Sequence, residues 1–345
     1  MSEKVAPGTS HSRWGELPPW RDDARVAAIV VNYRTPELTI ACVESILASD
    51  GVDPRVVVVD NASNDDSVAR LRARFDAVDE IAIVARATND GYAGGNNAGV
   101  TLAVDAGARY AFVLNSDTIL HRECLRRIVA DAERDPRIAL VTPRILYGDQ
   151  PDRTWFGGSR FSRWRGRPIH VESSLSDARD LDFASGCALL VKLDARGWKF
   201  EPDPTSNLQP PTSDLFDASL FSYGEDLDLS LRVQNAGGRI RYVPDATVLH
   251  FVGSSHRRAG GESLRFYLST RNLLRVAARH ARWYHWITLA PMLAVDVVGR
   301  FAAVAIRERD ASAFFAVLRG VVHSVTGGRA SIERDVVVPS ARRPR

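Results

Sequence analysis

The sequence predicts an α/β fold in which a mostly parallel sheet is flanked by helices and followed by a helical C-terminal extension. Short apolar runs, such as VAAIVV at 26–31 and the four valines at 56–59, have the length and composition of strands covered on both faces. These runs alternate with helical patterns through residue 120, which is the order that βαβ units produce. Polar, turn-favouring residues follow the runs. In such a sheet, ligands bind at the carboxyl ends of the strands.

The first 120 residues carry the most regular pattern. After the strand at 26–31, Thr35 can cap a helix that Pro36 starts, and apolar residues recur at helical spacing to Ser49. The other elements predicted in this half are a strand over 56–59, a helix over 66–75, a strand over 81–85, a helix ending near residue 106 and a strand over 110–114.

Beyond residue 120 the pattern is less regular. Residues 148–182 are predicted to form a loop, and residues 201–214, rich in Pro, Ser and Asp, a flexible insertion. Acidic residues at 225–228 open a helix, where the helix dipole favours them. The remaining predicted elements are a helix over 123–132, a strand over 139–142, a turn and strand over 182–191, and strands over 239–243 and 247–250.

Residues 263–328 are predicted to be helical, and within them Trp286–Ile306 is long and apolar enough to suggest a membrane span. Asp296 and Arg300 fall near its centre, where charges are costly in hydrocarbon, although their i, i+4 spacing allows them to pair. Flanking arginines and aromatic residues favour a helix lying in the interface of an anionic membrane. A spanning helix and a helix packed on a soluble body are the alternatives.

Composition and charge argue against several classes of protein. The net charge of +3 gives no support for nucleic-acid binding. The three cysteines, at positions 42, 124 and 187, match no zinc-binding spacing and fit a reducing compartment. Residues 1–24 lack the apolar segment of a secretory signal and are predicted to be a flexible arm, as is the tail at 329–345. We expect a cytoplasmic protein, peripheral on the inner face of the cell membrane if its C-terminal helices touch lipid.

Four polar clusters follow the strands of the first half and are expected to meet at one edge of the sheet: Asn32-Tyr33, Asp60-Asn61, Asn89-Asp90-Gly91 and Asn115-Ser116-Asp117. Each alone also fits an ordinary turn. Together they favour a ligand site in which Asp60 accepts hydrogen bonds from a base or ribose. The carboxylate of Asp117 suits a divalent cation that takes other oxygens from a diphosphate, or else it caps a helix. No Walker loop is present and no GxGxxG pattern follows the first strand, which disfavours a P-loop kinase and a dehydrogenase.

A set of motifs carries a family resemblance: IVVNY, VVDNASNDDS, NDGYAGGNNAG, FVLNSDT, SGCALLV, YGEDLDLSLR and LHFVGSS, in this order. Over about residues 25–275 the chain resembles an inverting family 2 glycosyltransferase of the GT-A fold. It most resembles the rhamnosyltransferase-like branch that builds bacterial surface polysaccharides. The resemblance implies a GT-A domain at 25–262, with a nucleotide-binding half at 25–120 and an acceptor half at 121–262, before the helical extension.

For the donor and the metal, the resemblance implies a site at the strand ends. Asn115-Ser116-Asp117 takes the place of the family's DXD motif, with Asn instead of the first Asp. Asp117 would be the main ligand of Mn²⁺ or Mg²⁺, and His250 would complete the site or else be a packed residue; an imidazole ligand favours manganese. The implied nucleotide-sugar contacts are Val31, Asn32, Tyr33, Asp60, Asn61, Gly95, Asn96, Asn115, Ser116 and Asp117.

For the transfer itself, the resemblance implies that Asp226 is the catalytic base and that Glu225 shapes the site or contacts the acceptor. Inversion requires the base and the leaving group on opposite faces of the sugar. Asp228 fits a charge at the helix start, and Arg232 is expected to pair with a carboxylate one turn earlier.

The acceptor residues each have an alternative. Trp155, Phe156 and Gly158 would form a stacking platform for a sugar ring or a small satellite core. Arg257, with Arg258, would clamp a pyrophosphate or lie in a solvated loop. We expect a nucleoside-diphosphate-sugar donor, first of all deoxythymidine-diphosphate rhamnose, and a glycan or polyprenyl-diphosphate-linked glycan acceptor.

Two other functions fit parts of the sequence. A sugar nucleotidyltransferase also combines a nucleotide-binding half-sheet with acidic metal ligands, but it carries a loop rich in Gly and basic residues after its first strand, and Asn32-Tyr33-Arg34-Thr35 is not such a loop. A non-catalytic module that binds nucleotide sugars is the other alternative. The presence of both Asp117 and Asp226 counts against it.

Overall fold

The computed structural model describes residues 17–170, 177–193, 214–252, 261–304 and 311–327. A ten-stranded sheet flanked by helices forms the body, which confirms the predicted fold class. The strands are β1 (Val26–Asn32), β2 (Arg55–Asp60), β3 (Ile81–Ala85), β4 (Tyr110–Asn115), β5 (Thr118–Leu120), β6 (Ile138–Tyr147), β7 (Gln150–Phe156), β8 (Ser159–Ser162), β9 (Arg167–His170), β10 (Arg179–Asp180), β11 (Ala188–Lys192) and β12 (Arg239–His250).

The helices follow the predicted order through the first half, and three more pack at the C-terminal end. A short 3-10 helix, Ala218–Leu220, precedes α5, and another, Trp283–His285, precedes α7. The α-helices are α1 (Pro36–Leu47), α2 (Ser67–Phe75), α3 (Gly91–Asp105), α4 (Cys124–Ala132), α5 (Glu225–Asn235), α6 (Gly261–His280), α7 (Trp286–Ala303) and α8 (Ala311–Thr326).

One half of the sheet is parallel, in the order β4-β1-β2-β3. Its strands are buried on both faces, as their unbroken apolar runs predict. The register places Asn32 beside Asp60 and Val31 beside Asn115. The ends of three strands, with the polar residues that follow them, therefore lie along one edge of the sheet.

The other half of the sheet is mixed. β11 lies antiparallel between β4 and β6, and β12 lies parallel to β6 and antiparallel to β5. β12 is one strand where two were predicted, with a register shift between Val243 and Thr247. Its pairing with β5 sets His250 opposite Thr118, the residue after Asp117.

The prediction of a loop over 148–182 is wrong for much of that segment. β7 pairs with the extended end of β6, and β8 pairs with β9 in a separate two-stranded sheet. The segment lacked a strand signal because most of β7 is exposed, so its sequence needs no buried apolar run.

The end of the predicted N-terminal arm contacts the body. Trp20 donates a hydrogen bond from Nε1 to the carbonyl of Ala106 (2.7 Å), and the buried Arg55 guanidinium donates to the carbonyl of Pro19. Contacts with the domain thus begin before residue 24. Residues 1–16, most of the predicted insertion and the predicted tail lie outside the described residues.

The C-terminal helices pack on one another and on the body. Tyr267 in α6 bonds through its hydroxyl to Nδ1 of His323 in α8 (3.0 Å), and Asp296 pairs with Arg300 at 3.1 Å, as their spacing predicts. Across the described ranges, every helix is too short or too polar to cross a membrane.

Candidate active site

A cluster at the ends of β1 and β2 is closed by its own hydrogen bonds. The side-chain amide of Asn32 donates to Oδ1 of Asp60 (2.7 Å) and to Oγ of Ser63 (3.2 Å), while its oxygen accepts from Thr39 (2.8 Å). Asp60 also accepts from the hydroxyl and the backbone N–H of Ser63. All four residues are buried. These groups hold the two loops in place.

The start of α3 packs against this cluster. Asn61 donates from Nδ2 to Oδ1 of Asn89 (2.8 Å) and to the carbonyl of Gly91 (2.9 Å). A Cβ on Gly95 would meet the Val31 side chain at 3.0 Å, so α3 approaches β1 closely and a larger residue there would require Val31 to shift. Asn96 is fully buried, and its Oδ1 has no hydrogen-bond partner within the described residues. The N-terminus of α3, which favours negative charge, therefore faces the strand ends.

Asp117 and His250 meet where β5 pairs with β12. Nε2 of His250 lies 3.2 Å from Oδ1 of Asp117, and the N–H of Phe251 donates to the carbonyl of Asp117 (2.9 Å). Trp155 packs edge-on against the His250 ring, with centroids 4.6 Å apart. Both members of the pair are buried, and Nδ1 of His250 has no hydrogen-bond partner among the residues described.

The pair fits a divalent cation. Two adjacent ligands of an octahedral ion, each about 2.1 Å from it, are roughly 3 Å apart, which is close to the observed 3.2 Å. The described residues contain no group of three or more His, Cys, Asp or Glu side chains that could hold a metal. An ion held by Asp117 and His250 would therefore take its other ligands from a substrate and water.

Asp226 lies in the first turn of α5, behind Gly224, whose φ of +89° only glycine adopts readily. Its Oδ2 accepts from the N–H of Gly186 (3.0 Å) and its Oδ1 from the N–H of Leu227 (2.8 Å). Tyr92 in α3 donates its hydroxyl to the carbonyl of Gly186. The carboxylate is thus held next to the start of α3.

Gly186 and Cys187 join the two acidic groups. Gly186 donates to Asp226, and the carbonyl of Cys187 accepts from the N–H of Asn115 (3.0 Å). Burial, followed by the charges of Asp117 and Asp226 among others, raises the pKa of the Cys187 thiol well above its ordinary value. The loop at 186–187 thus contacts Asp226 on one side and the end of β4, two residues before Asp117, on the other.

Glu225 differs from its neighbour. Its side chain is buried, and Oε2 has no hydrogen-bond partner in the described part of the chain. Burial first, and then the charges of Asp226 and Asp228, raise the pKa of Glu225 well above 4.5. The raised pKa favours the protonated form of Glu225, which can donate a hydrogen bond.

The structure does not bring the predicted acceptor residues together at one surface. Trp155 is half-buried beside His250, but Phe156 is only 1% exposed and packs in the main core against Phe183. Of the two alternatives for Phe156, a stacking platform or a packed core, the structure favours packing, in the main core rather than in a satellite core, because β7 turns that side chain inward. Gly158 is buried with a φ of +109°, and Arg257 lies outside the described residues.

Two groups near the site were not predicted. Burial and the charges of Glu225 and Asp226 raise the pKa of Tyr92 well above its ordinary value. Asp228 pairs with Arg232 (2.8 Å), as predicted, but also with residues of α6. A tyrosine two residues after Asp90 was visible in the sequence, but only the structure shows that its hydroxyl contacts Gly186, in the loop before β11.

The sequence model described as glycosyl transferase family 2 matches residues 27–196. A succinoglycan biosynthesis protein, ExoO, of Rhizobium meliloti is 33% identical over 108 residues, a match spanning 31% of this chain and 30% of the relative. The galactofuranosyltransferase GlfT1 of Mycobacterium tuberculosis is 26% identical over 230 residues, covering 66% of this chain and 71% of its own length.

Among solved structures, GalNAc-T7 in complex with UDP, GalNAc and Mn²⁺ superposes with a TM-score of 0.53 over 74% of this chain and 48% of that chain, at 15% identity. At that identity the similarity concerns the fold. It agrees with the GT-A architecture that the motifs imply.

Proposed function

We propose, from the premise that residues 27–196 are a domain of glycosyl transferase family 2, that the chain transfers a sugar from a nucleoside diphosphate to an acceptor hydroxyl with inversion at the anomeric carbon. Residues 25–120 would bind the donor and residues 121–262 the acceptor. The relatives named for succinoglycan and galactofuranosyl chemistry support a role in cell-surface polysaccharide synthesis.

One observation carries the proposal. Gly186 and Cys187, adjacent in the chain, contact Asp226 on one side and Asn115, two residues before Asp117, on the other. A transferase needs a base near the acceptor hydroxyl and a charge-neutralising group near the leaving diphosphate, on opposite sides of the sugar. These contacts support a site in which Asp226 would be the base and Asp117 would lie on the side of the leaving diphosphate.

In the proposed reaction Asp226 accepts the proton of the acceptor hydroxyl as that oxygen attacks the anomeric carbon. The N–H groups of Gly186 and Leu227 fix the two oxygens of the carboxylate, so the base is oriented before the acceptor binds. Glu225, whose pKa is raised by burial and by the charge of Asp226, would in its protonated form donate a hydrogen bond to the acceptor or the sugar. The bond to the nucleoside diphosphate breaks on the opposite face.

Asp117 and His250 would hold the divalent metal, Mn²⁺ or Mg²⁺. When bound, such an ion neutralises the negative charge that develops on a leaving diphosphate. The imidazole favours manganese. GalNAc-T7, solved with Mn²⁺ and UDP, supports this choice by its fold.

For the donor we propose deoxythymidine-diphosphate rhamnose. Its support is the motif resemblance to the rhamnosyltransferase-like branch, whereas one relative is named a galactofuranosyltransferase. Val31 and Tyr33, which are half-buried at the strand ends, would contact the base, and Gly95 and Asn96 the diphosphate or sugar.

A thermal-shift panel tests the donor site. Thymidine, uridine and guanosine diphosphates are each added with and without Mn²⁺, because a ligand that binds the folded state raises Tm. A manganese-dependent shift selective for one base supports the site and identifies the nucleotide. Tm shifts that are equal with and without Mn²⁺ contradict the role of Asp117. The absence of a Tm shift with every nucleotide contradicts the donor site. Turnover of the matching nucleotide sugar then separates an enzyme from a binding module.

We also propose that α7 contacts the membrane, where a polyprenyl-diphosphate-linked acceptor would lie. In the first two and a half turns of α7, only Leu289 and Leu293 are buried. Ile287 and Val295 are 72% and 66% exposed, and Trp283, just before α7, is 81% exposed. An apolar helix with tryptophan at its end suits the lipid interface. Flotation with anionic vesicles tests this: Ile287→Glu should lose binding while its Tm stays unchanged, and equal flotation of both proteins contradicts it.

A further inference from the structure

The segment 215–224, which leads into α5, has an unusual backbone. Phe221 and Tyr223 have φ of +65° and +69°, and Gly224 has +89°. Side chains larger than glycine adopt these angles only when the surrounding structure holds them there. The segment ends two residues before Asp226, so whatever holds it also sets where α5 begins.

Helix α6 holds the segment from one side. The side-chain amide of Asn272 donates to the carbonyls of Leu220 (2.8 Å), Ser222 (2.8 Å) and Tyr223 (2.7 Å). Its neighbour Arg271 donates to the carbonyls of Ser219 (3.2 Å) and Leu220 (3.1 Å). Asn272 and Arg271 are both fully buried. The two side chains thus bind the backbone at the point where it turns left-handed.

Helix α3 holds the segment from the other side. The N–H of Ala93 donates to the carbonyl of Phe221 (3.0 Å), and a Cβ on Gly91 would lie 2.3 Å from that oxygen. Asn97 exchanges two hydrogen bonds with the backbone of Phe216, at 2.8 and 2.9 Å. The segment therefore connects the helix of the proposed donor site to α6.

A buried ion cluster also joins α6 to the segment and to α5. Arg279 in α6 contacts Asp217 before the turn (2.6 Å) and Asp228 in α5 (2.7 Å), and His280 contacts Asp228 at 2.9 Å. Although burial opposes it, the hydrogen bond from His280 and the charges of Arg232 and Arg279 hold the pKa of Asp228 below its ordinary value. The first turn of α5 is thus bound to α6 at two places.

We infer that α6 is part of the catalytic unit and that Asn272 is a positioning residue for Asp226, an inference that rests on the proposed function. Without the amide, the carbonyls of Ser222 and Tyr223 lose this donor, that of Leu220 keeps Arg271, and the left-handed turn is held less firmly on the side of α6. The start of α5 would then shift relative to Gly186. A displacement of about 1 Å at a reacting group can cost on the order of 10²-fold in rate.

The test compares Asn272→Ala with wild type in the full chain, using the nucleotide sugar that wild type turns over. We expect kcat to fall on the order of 10²-fold, while the donor KM and the nucleotide-induced Tm shift stay within about twofold and about one degree of wild type. Arg275→Ala is the matched control. It removes an α6 hydrogen bond to a carbonyl of α8, at His323 (2.9 Å), instead of one to the segment.

The outcomes separate the possibilities. An unchanged kcat in Asn272→Ala contradicts a positioning role. The role is also contradicted if kcat and nucleotide binding fall together in Asn272→Ala and fall by the same extent in Arg275→Ala. If Asn272→Ala does not fold, Asn272→Ser, which keeps one donor, decides: reduced kcat with normal nucleotide binding supports the inference, and wild-type kcat overturns it. Wild type without turnover on any donor defeats the proposed function itself, and the inference with it.

Discussion

Two polar clusters at the same edge of the sheet differ in whether their buried polar atoms are hydrogen-bonded to one another. The cluster of Asn32, Thr39, Asp60 and Ser63 is closed, with its members bonded to one another. The cluster around Asp226, in contrast, is open, because Oε2 of the buried Glu225 has no partner among the described residues. A buried polar atom without a hydrogen-bond partner lowers the stability of the fold, so we interpret such an atom as a group that contacts a ligand. A closed cluster, in contrast, holds loops in shape.

The largest effect is expected at the open cluster. Asp226→Asn keeps the size of the side chain and one of its two N–H contacts, since an amide nitrogen cannot accept, and it removes the base. We therefore expect kcat to fall on the order of 10³-fold while the nucleotide-induced Tm shift persists. Asp65→Asn is a suitable control, because Asp65 also accepts from a backbone N–H at a helix start, that of Ser67. Near-normal transfer by Asp226→Asn would assign the base elsewhere.

Asp117→Asn should act on metal dependence. Loss of the negative charge beside His250 weakens the hold on a divalent cation, and we expect the manganese-dependent part of nucleotide affinity to fall on the order of 10²-fold. Titration calorimetry with and without Mn²⁺ measures it, and the metal-free affinity is the internal control. Equal manganese dependence in both proteins would remove Asp117 from the metal site.

At the closed cluster the expected effect is on stability. Asn32→Ala removes one hydrogen bond from each of Asp60, Ser63 and Thr39 and should lower the free energy of unfolding by about 1–3 kcal/mol. Chemical denaturation measures this change. If stability is unchanged and nucleotide affinity falls instead, the closed cluster contacts the ligand and the contrast between the clusters fails.

The smallest effect concerns pH. The pKa of Glu225 is raised in the folded state, so the stability associated with its protonated form is complete below 4.5 and is lost as pH rises towards the folded pKa. Glu225→Gln, which is always neutral, should therefore gain stability relative to wild type as pH rises above 4.5. Denaturation at several pH values measures this difference, and a constant difference would show that burial does not perturb Glu225.

The sequence by itself determined the architecture of the first half and brought to one edge of the sheet the strand ends at which we propose the site. Continuous apolar runs can only be strands buried on both faces when helices alternate with them, and parallel strands bring Asn32, Asp60 and Asn115 to one edge. The order of the motifs predicted the GT-A fold. These features are local in the chain, or follow from the rule that connects successive βαβ units.

Only the tertiary structure decided which polar side chains are hydrogen-bonded within the protein, because packing between distant segments determines the partners. It set His250 beside Asp117 through the pairing of β12 with β5, and it turned Phe156 into the core. It also joined Asn272 to the turn before Asp226. Such contacts depend on how far-separated elements close on one another, and no local pattern of residue types encodes that.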